Sequence, residues 1–278
     1  MEQNERKTYI HNPFEQKVCP KCGYKYDALQ PACPNCKEPF ETARAVPFNE
    51  VTFTNPFIEI ALFLVGWLGL KGLVQILIPI FSAMVKDGRM AAEDFSMAIN
   101  YTCYGILFVI LAGIASIYIP KLLKSFKKPE FLWGFIVYIV IIGFDIAWGM
   151  ISKNLGATTN ENEGAIEAIT KVNLPLSLLF LGVLGPICEE LTYRVGLFNF
   201  SRRINRVVGY VVASVLFGLI HIHDFTSVNE WLSYPPYVFA GLAFAFAYEK
   251  WGFGASALAH VTNNVLALIA SYYVKSSI

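Results

Sequence analysis

Charge is scarce in this chain, and neither sign dominates. Charged residues are 15% of the sequence, and 22 Lys and Arg against 21 Asp and Glu leave a formal net charge of +1. The broad basic field of a nucleic-acid-binding protein is missing, so no nucleic-acid partner is expected. An apolar stretch near Met1 is also missing, because the first 50 residues are polar and charged. No cleavable signal peptide is therefore expected, and insertion into a membrane must rely on the first true span. Internal repeats and low-complexity tracts are absent as well.

What is abundant is apolar sequence, at 55% hydrophobic residues. Several runs approach or exceed the roughly 20 residues needed to cross a bilayer. A soluble helical protein would interrupt such runs with polar faces at helical period. Seven spans are expected, at about 56–84 (interrupted by Lys71), 97–119, 131–151 (with Asp145 inside), 175–200, 207–223, 236–249 and 255–274. A polar, acidic loop containing Asn160, Glu161, Asn162 and Glu163 is expected between the third and fourth.

Basic residues set the expected orientation. Arg6, Lys7, Lys17, Lys21, Lys25, Lys37 and Arg44 lie before the first span. Lys121, Lys124, Lys127 and Lys128 follow the second, and Arg202, Arg203 and Arg206 follow the fourth. The alternate loops are poorer, with Lys86 and Arg89, then Lys153 and Lys171. A multi-pass protein of the cell membrane with a cytoplasmic N-terminus is expected, with Ile278 on the far side.

Six cysteines divide into two groups. Cys19-Pro20-Lys21-Cys22 and Cys33-Pro34-Asn35-Cys36 form two knuckles in the polar N-terminus, a pattern that can close a tetrahedral zinc site. Gly23 follows the first knuckle, where a tight turn would bring amides toward the sulfurs. A pair of disulfides is the alternative, but a cytoplasmic N-terminus is a reducing setting. The pattern resembles a zinc ribbon of about 30 residues. So small a module has little core of its own, and metal binding would supply its folding energy. A protein partner for it is one option. Cys103 and Cys188 lie in apolar runs and read as small buried hydrophobes rather than catalytic thiols.

Ionisable groups within a span cost roughly 2.5–3.5 kcal/mol each near a helix centre, so they usually face protein or a wet cavity. Glu189-Glu190-Leu191-Thr192-Tyr193-Arg194 follows an apolar run. Glu190 and Arg194 are four apart and can pair on one helix face. Glu189 is turned about 100° away and is free to act as a base. The plainer reading is a helix end emerging into water. His221 ends an apolar run whose Ala213, Ser214 and Gly218 permit close helix approach. Taken singly, it reads as a packed or interfacial residue, and His223 with Asp224 reads as surface. His260 and Asn264, again four apart, lie mid-span, where polar contact between helices would also explain them. Together the three elements supply a base, proton carriers or metal ligands, and a donor for a developing oxyanion. That inventory suits attack of water on a carbonyl. No Ser or Cys nucleophile stands at a recognisable spacing from a His.

Glu189-Glu190-x-x-x-Arg194, Phe217-x-x-x-His221 and His260-x-x-x-Asn264 resemble, in order and spacing, the CPBP family. This is the CAAX protease and bacteriocin-processing intramembrane peptidases, also called Abi. The resemblance covers about 175–275. One departure is Val195, since the family often has Gly directly after the Arg and here Gly196 comes one later. The resemblance implies Glu189 as water activator and His221 as its partner or a metal ligand. It implies His260 with Asn264 as oxyanion stabilisers or ligands, and Glu190 with Arg194 in support. Both metal-dependent and glutamate-based mechanisms are argued for the family. His221, His260 and Glu189 could hold a zinc ion, but they lack the compact H-E-x-x-H spacing, so the sequence does not demand one.

The expected protein is thus an all-α, polytopic transmembrane helical bundle of about seven spans, preceded by a small zinc ribbon. The ribbon module and linker take residues 1–45 and the bundle 46–278. The expected activity is that of an intramembrane endopeptidase, acting in lipid on a membrane-associated protein or peptide whose prenylation nothing here selects. A catalytically idle scaffold or immunity protein of the same fold would be expected to carry degraded motifs. A transporter would be expected to show broken helix pairs or an inverted repeat.

Overall fold

Residues 16–19, 21–27, 33, 35–36, 55–126 and 128–274 are described by the structure, a computed structural model. Residues 37–45, the end of the expected ribbon module and linker, and the basic residues Arg6, Lys7, Lys37, Arg44 and Lys127 lie outside the described residues. The chain divides into two compact units, Met1–Phe48 and Asn49–Ile278. In the first, strands β1 (Gln16–Val18) and β2 (Lys25–Asp27) pair antiparallel, with Lys17 opposite Tyr26. The turn between them holds the first cysteine knuckle. It is closed by hydrogen bonds from Cys19 N–H to Tyr24 O and from Gly23 N–H to Cys19 O, both 2.9 Å. Gly23 takes φ +70°, a conformation open to glycine at no steric cost.

The second unit is helical. In chain order its helices are α1 (Pro56–Lys86), α2 (Phe95–Ile114), the short α3 (Ile119–Lys124), α4 (Lys128–Asn154), α5 (Glu161–Val172), α6 (Leu174–Ser201), α7 (Arg206–Leu219), α8 (Val228–Trp251) and α9 (Phe253–Val274). Small polar residues start several of them. Asn55 Oδ1 accepts from the Phe57 and Ile58 amides, Asn173 from Leu176, Asn205 from Val208, and Ser227 Oγ from Glu230. Each cap satisfies amides that a first helical turn leaves unpaired. Gly252, at φ +93°, separates α8 from α9.

Each of the seven apolar runs falls on a helix, and among the described residues five helices are long and apolar enough to cross a membrane by length and composition. The other two are α7, whose 14 residues reach about 21 Å, and α8, which has the length but carries Glu230, Pro235 and Pro236 in its first half. Lys71 does not break α1, which runs continuously for 31 residues with the ammonium 5.3 Å from the Trp67 ring. The polar segment read as a loop is a correction. Glu161–Val172 is the amphipathic helix α5, capped by Asn160 Oδ1 on the Glu163 amide at 2.8 Å. It buries Ile169 and is braced by a Glu167–Lys171 ion pair at 2.8 Å.

Phe57, Val109, Leu132 and Ile146 stand exposed on α1, α2 and α4, the surface character of a protein solvated by lipid. The core gathers Leu62, Phe63, Leu111, Tyr193, Phe198, Phe217, Phe244 and Tyr248. Helix α6 lies against α1 and α2 on one side and α7 and α9 on the other. Close approach depends on glycine here. A Cβ on Gly196 would lie 2.8 Å from Phe63 N and 2.9 Å from Glu59 O, and one on Gly66 would collide with Thr192. The glycine that stands one place late after Arg194 is therefore the contact point between α6 and α1.

Candidate active site

Helix α6 is not regular. Two π-helical stretches, Phe180–Leu184 and Leu191–Phe198, flank the ordinary turn Gly185–Glu190 that carries both glutamates. Such wide turns often accompany functional sites because they re-aim side chains without breaking the helix. The two glutamates diverge. Glu190 points inward and is fully buried, whereas the Glu189 side chain keeps 16% of its exposure.

Glu190 is the centre of a polar cluster inside an apolar core. Its Oε1 lies 3.3 Å from Arg194 Nη2 and 2.9 Å from His260 Nδ1, and its Oε2 accepts from Ser256 Oγ. Arg194, also fully buried, meets Glu190 as an ion pair and makes no hydrogen bond through its guanidinium among the described residues. Two ring faces take the cation instead, with Phe217 at 4.7 Å and Phe244 at 5.3 Å. A carboxylate that receives a guanidinium, an imidazole and a hydroxyl is a satisfied structural charge, not a free base.

Glu189 has a different environment. Tyr104 OH, from α2, donates to its Oε1 at 3.3 Å, and His260 Nε2 lies 3.5 Å from its Oε2. His260 thus stands between the two glutamates, with Nδ1 on the buried one and Nε2 toward the partly open one. Its ring stacks on Phe244 at 4.3 Å and meets the edge of Phe217 at 5.6 Å.

His221 does not sit on α7 itself. The helix ends at Leu219, and His221 occupies the turn after it, with Nδ1 2.9 Å from Phe217 O. Phe217 explains its own place in the motif, since its ring touches Arg194, His260 and His221, the last at 5.2 Å. Asn264, one turn beyond His260, donates through Nδ2 to Leu181 O at 3.3 Å, in the first π stretch. Glu189, Glu190, Arg194 and His260 are thus brought into direct contact, and His221 adjoins them through Phe217. His223 and Asp224 lie in the following turn, where Asp224 accepts from Thr226 N–H and Oγ–H, as a surface turn does. Asp145, on α4, joins no hydrogen bond of the cluster, and its buried Oδ1 has no partner among the described residues.

Two residues of the cluster went unread in the sequence. Ser256 was legible, since it stands four before His260 and shares its face. Tyr104 was not, because nothing in α2 announces which of its aromatic side chains meets Glu189. Its approach needs Gly185, where a Cβ would lie 3.3 Å from the Tyr104 ring.

In the N-terminal unit, Cys19, Cys22, Cys33 and Cys36 place their sulfurs within 4.8 Å of one another. The Cys19–Cys36 and Cys22–Cys33 separations are 3.7 and 3.5 Å. All four are free thiols in this structure, unlike the disulfide alternative. Zn–S bonds of about 2.3 Å in a tetrahedron require S···S edges of about 3.8 Å, so the donor set fits zinc. A hydrogen bond from the Tyr24 backbone, helped by neighbouring thiols, pulls the Cys22 thiol down to about 6. Thiolate character of that kind is what a metal ligand needs. Among the described residues this is the one group of three or more His, Cys, Asp or Glu gathered so tightly, and the membrane cluster does not form another.

Comparison with known proteins fits this geometry. Residues 171–266, from the end of α5 into α9, match the family model described as type II CAAX prenyl endopeptidase Rce1-like. An uncharacterized protein of Mycoplasma capricolum is 29% identical over 174 residues, 56% of this chain. The chain spans about half the length of that relative. The UPF0177 protein YxdF of Lactococcus lactis is 22% identical over 163 residues, 58% of this chain and 86% of the relative. No solved structure matches significantly. The match over residues 171–266 covers all three motifs, Glu189–Arg194, Phe217–His221 and His260–Asn264, and bears out the resemblance read from them.

Proposed function

We propose that the protein is an intramembrane endopeptidase that hydrolyses peptide bonds at or within the bilayer by glutamate-activated water. The observation that carries this reading is the contrast between the two glutamates. Glu190 is spent on Arg194, His260 and Ser256, while Glu189 is partly open, with Tyr104 OH and His260 Nε2 as its nearest polar contacts among the described residues. A carboxylate left with spare acceptor capacity beside imidazoles is the group able to take a proton from water.

In this mechanism Glu189, with His221, removes a proton from water as its oxygen attacks the scissile carbonyl carbon. The carbonyl π electrons move onto oxygen. Asn264 donates to that oxyanion through the amide hydrogen not used on Leu181 O, and His260 joins it through Nε2–H as the imidazolium, because its Nδ1–H is held by the Glu190 carboxylate, which only accepts. Collapse of the adduct breaks the C–N bond, and the proton held by Glu189 passes to the leaving amine. Tyr104 keeps Glu189 aimed, and the Glu190–Arg194 pair holds His260 from behind. The membrane site works without a metal in this reading, since its donors are not gathered as the four cysteines are. The N-terminal module, about 1–45, is a zinc ribbon on the cytoplasmic side, and the bundle from about 46 carries the catalytic core at about 175–275. The substrate is a membrane-associated protein or peptide.

The test compares membrane-protein fragments in cells carrying wild type or Glu189→Ala at equal abundance. Fragments present only with wild type support the proposal. Identical fragment sets across growth conditions refute it and favour an idle scaffold.

A further inference from the structure

His221 is supported by side chains that belong to none of the three motifs. A carbonyl oxygen only accepts, so the 2.9 Å contact with Phe217 O places a proton on Nδ1 and leaves Nε2 as the atom offered to a reacting group. One hydrogen bond at one ring atom does not fix the plane of an imidazole. The ring face is covered by Tyr237 of α8, at 4.2 Å between centroids and 11° between planes. Gly218 makes that possible. A Cβ there would lie 2.7 Å from the Tyr234 ring and 2.9 Å from Val238 Cγ2, so a larger residue would push α8 away from α7.

Tyr237 is itself held at its far end. Its phenol oxygen accepts from Asn162 Nδ2 at 3.2 Å and from Asn160 Nδ2 at 3.4 Å. A tyrosine serving only as packing needs one polar partner, whereas here two amides from the start of α5 converge on it. The same end of α5 reaches the His221 turn a second time. Glu230, almost fully buried, accepts from Glu161 N–H at 2.9 Å and from His223 N–H at 3.2 Å. Asn160, Glu161 and Asn162 lie outside the stretch that matches the family model.

We propose that Tyr237 is a positioning residue for His221, and that the start of α5 is the outer anchor that keeps the tyrosine ring over the imidazole. The effect on rate rests on the proposed function; the effect on the imidazole does not. Tyr237 touches no reacting atom. It confines the ring so that Nδ1 stays on Phe217 O and Nε2 keeps one direction.

The experiment uses the full chain in detergent with 15N-labelled histidine. The chain has four histidines, and loss of one signal set in His221→Gln assigns His221. Wild type should show the Nδ1–H tautomer. Tyr237→Leu should move both nitrogen shifts toward the average of the two tautomers, and Tyr237→Phe, which keeps the ring but loses the hydrogen bonds from Asn160 and Asn162, should move them less than Tyr237→Leu and more than Asn162→Ala. Activity is read on a quenched peptide copying a cleavage site found in the Glu189→Ala comparison. There Tyr237→Leu should lower kcat about tenfold to a hundredfold with KM unchanged, the range known for losing an outer partner of a metal-ligating imidazole. It should cost nothing further in the His221→Gln background. If Tyr237→Leu does not accumulate, Asn162→Ala, which leaves the α5 cap in place, carries the same expectations at smaller amplitude. A wild-type spectrum without the Nδ1–H tautomer, or a variant that keeps either the tautomer pattern or the wild-type kcat, overturns the proposal. If no cleaved peptide is found at all, the endopeptidase reading fails, and the tautomer arm alone decides the positioning.

Discussion

Arg194→Ala should damage folding before it damages chemistry. The guanidinium and the Glu190 carboxylate are both fully buried and 3.3 Å apart. Removing one partner of a buried pair leaves an uncompensated charge, at a cost of roughly 3–5 kcal/mol. Loss of the cation from between Phe217 and Phe244, 4.7 and 5.3 Å away, adds about 0.5–2 kcal/mol. Domain stabilities are typically about 5–15 kcal/mol, so the variant should lose a large share of its folded yield and melt at clearly lower temperature. Size-exclusion profiles and thermal melts in one detergent measure this. The orphaned carboxylate makes a sharper demand. Glu190→Gln in the Arg194→Ala background removes the stranded charge while its oxygen still accepts from His260 and its NH2 can donate to Ser256 Oγ, whose hydroxyl can donate to Phe244 O, so the double variant should be more stable than Arg194→Ala alone. If Arg194→Ala matches wild type in yield and melting, or the double variant is the worse of the two, the structural role given to the pair is wrong.

Glu189→Gln should abolish proteolysis with little change in folded yield, since it keeps shape and removes a base; equal loss of yield in Glu189→Gln and Arg194→Ala would refute the division of roles. The full chain should carry one zinc, and Cys22→Ser with Cys33→Ser should release it, as elemental analysis of the purified protein will show. A chain beginning at Asn49 should stay active with no stoichiometric metal; zinc that vanishes with His221→Ala or His260→Ala, with activity restored only by added metal, would establish a metalloprotease instead. A reporter at residue 5 should read cytoplasmic and one between His223 and Pro235 external, from the Lys and Arg bias of the loops, and the reverse pattern at both sites would overturn the orientation.

The sequence made the helices legible where length and hydropathy alone decide them, and misled where punctuation residues act against type. The sixth span was expected to start at about 236, yet α8 begins at Val228 and runs through Pro235 and Pro236. A proline at 236 cannot donate to Leu232 O, and a proline is expected to end or kink a helix for that reason. Here Trp148 Nε1, from α4, donates to Leu232 O at 2.7 Å and satisfies the freed carbonyl. Nothing local could reveal that rescue, because it comes from a side chain 84 positions away. The acidic segment at Asn160 is a different kind of miss. Its Asn cap, early glutamates and Ile166–Ile169 pair were all local helix signals, outweighed by its polarity.

The same division runs through the candidate site. Pairs at spacing four on one helix were readable, and Glu190–Arg194 forms as that spacing predicts. Contacts between helices were not, and nothing in the sequence placed His260 Nε2 3.5 Å from Glu189 Oε2. This matters for the chemistry. A single imidazole joined to Glu190 through Nδ1 and facing Glu189 through Nε2 links a fixed buried charge to the proposed base. Any change at Arg194 or Ser256 must then reach Glu189 through the orientation of His260. The two glutamates, adjacent in sequence and turned about 100° apart by the helix, are separated in function by what packs around them rather than by their own chemistry.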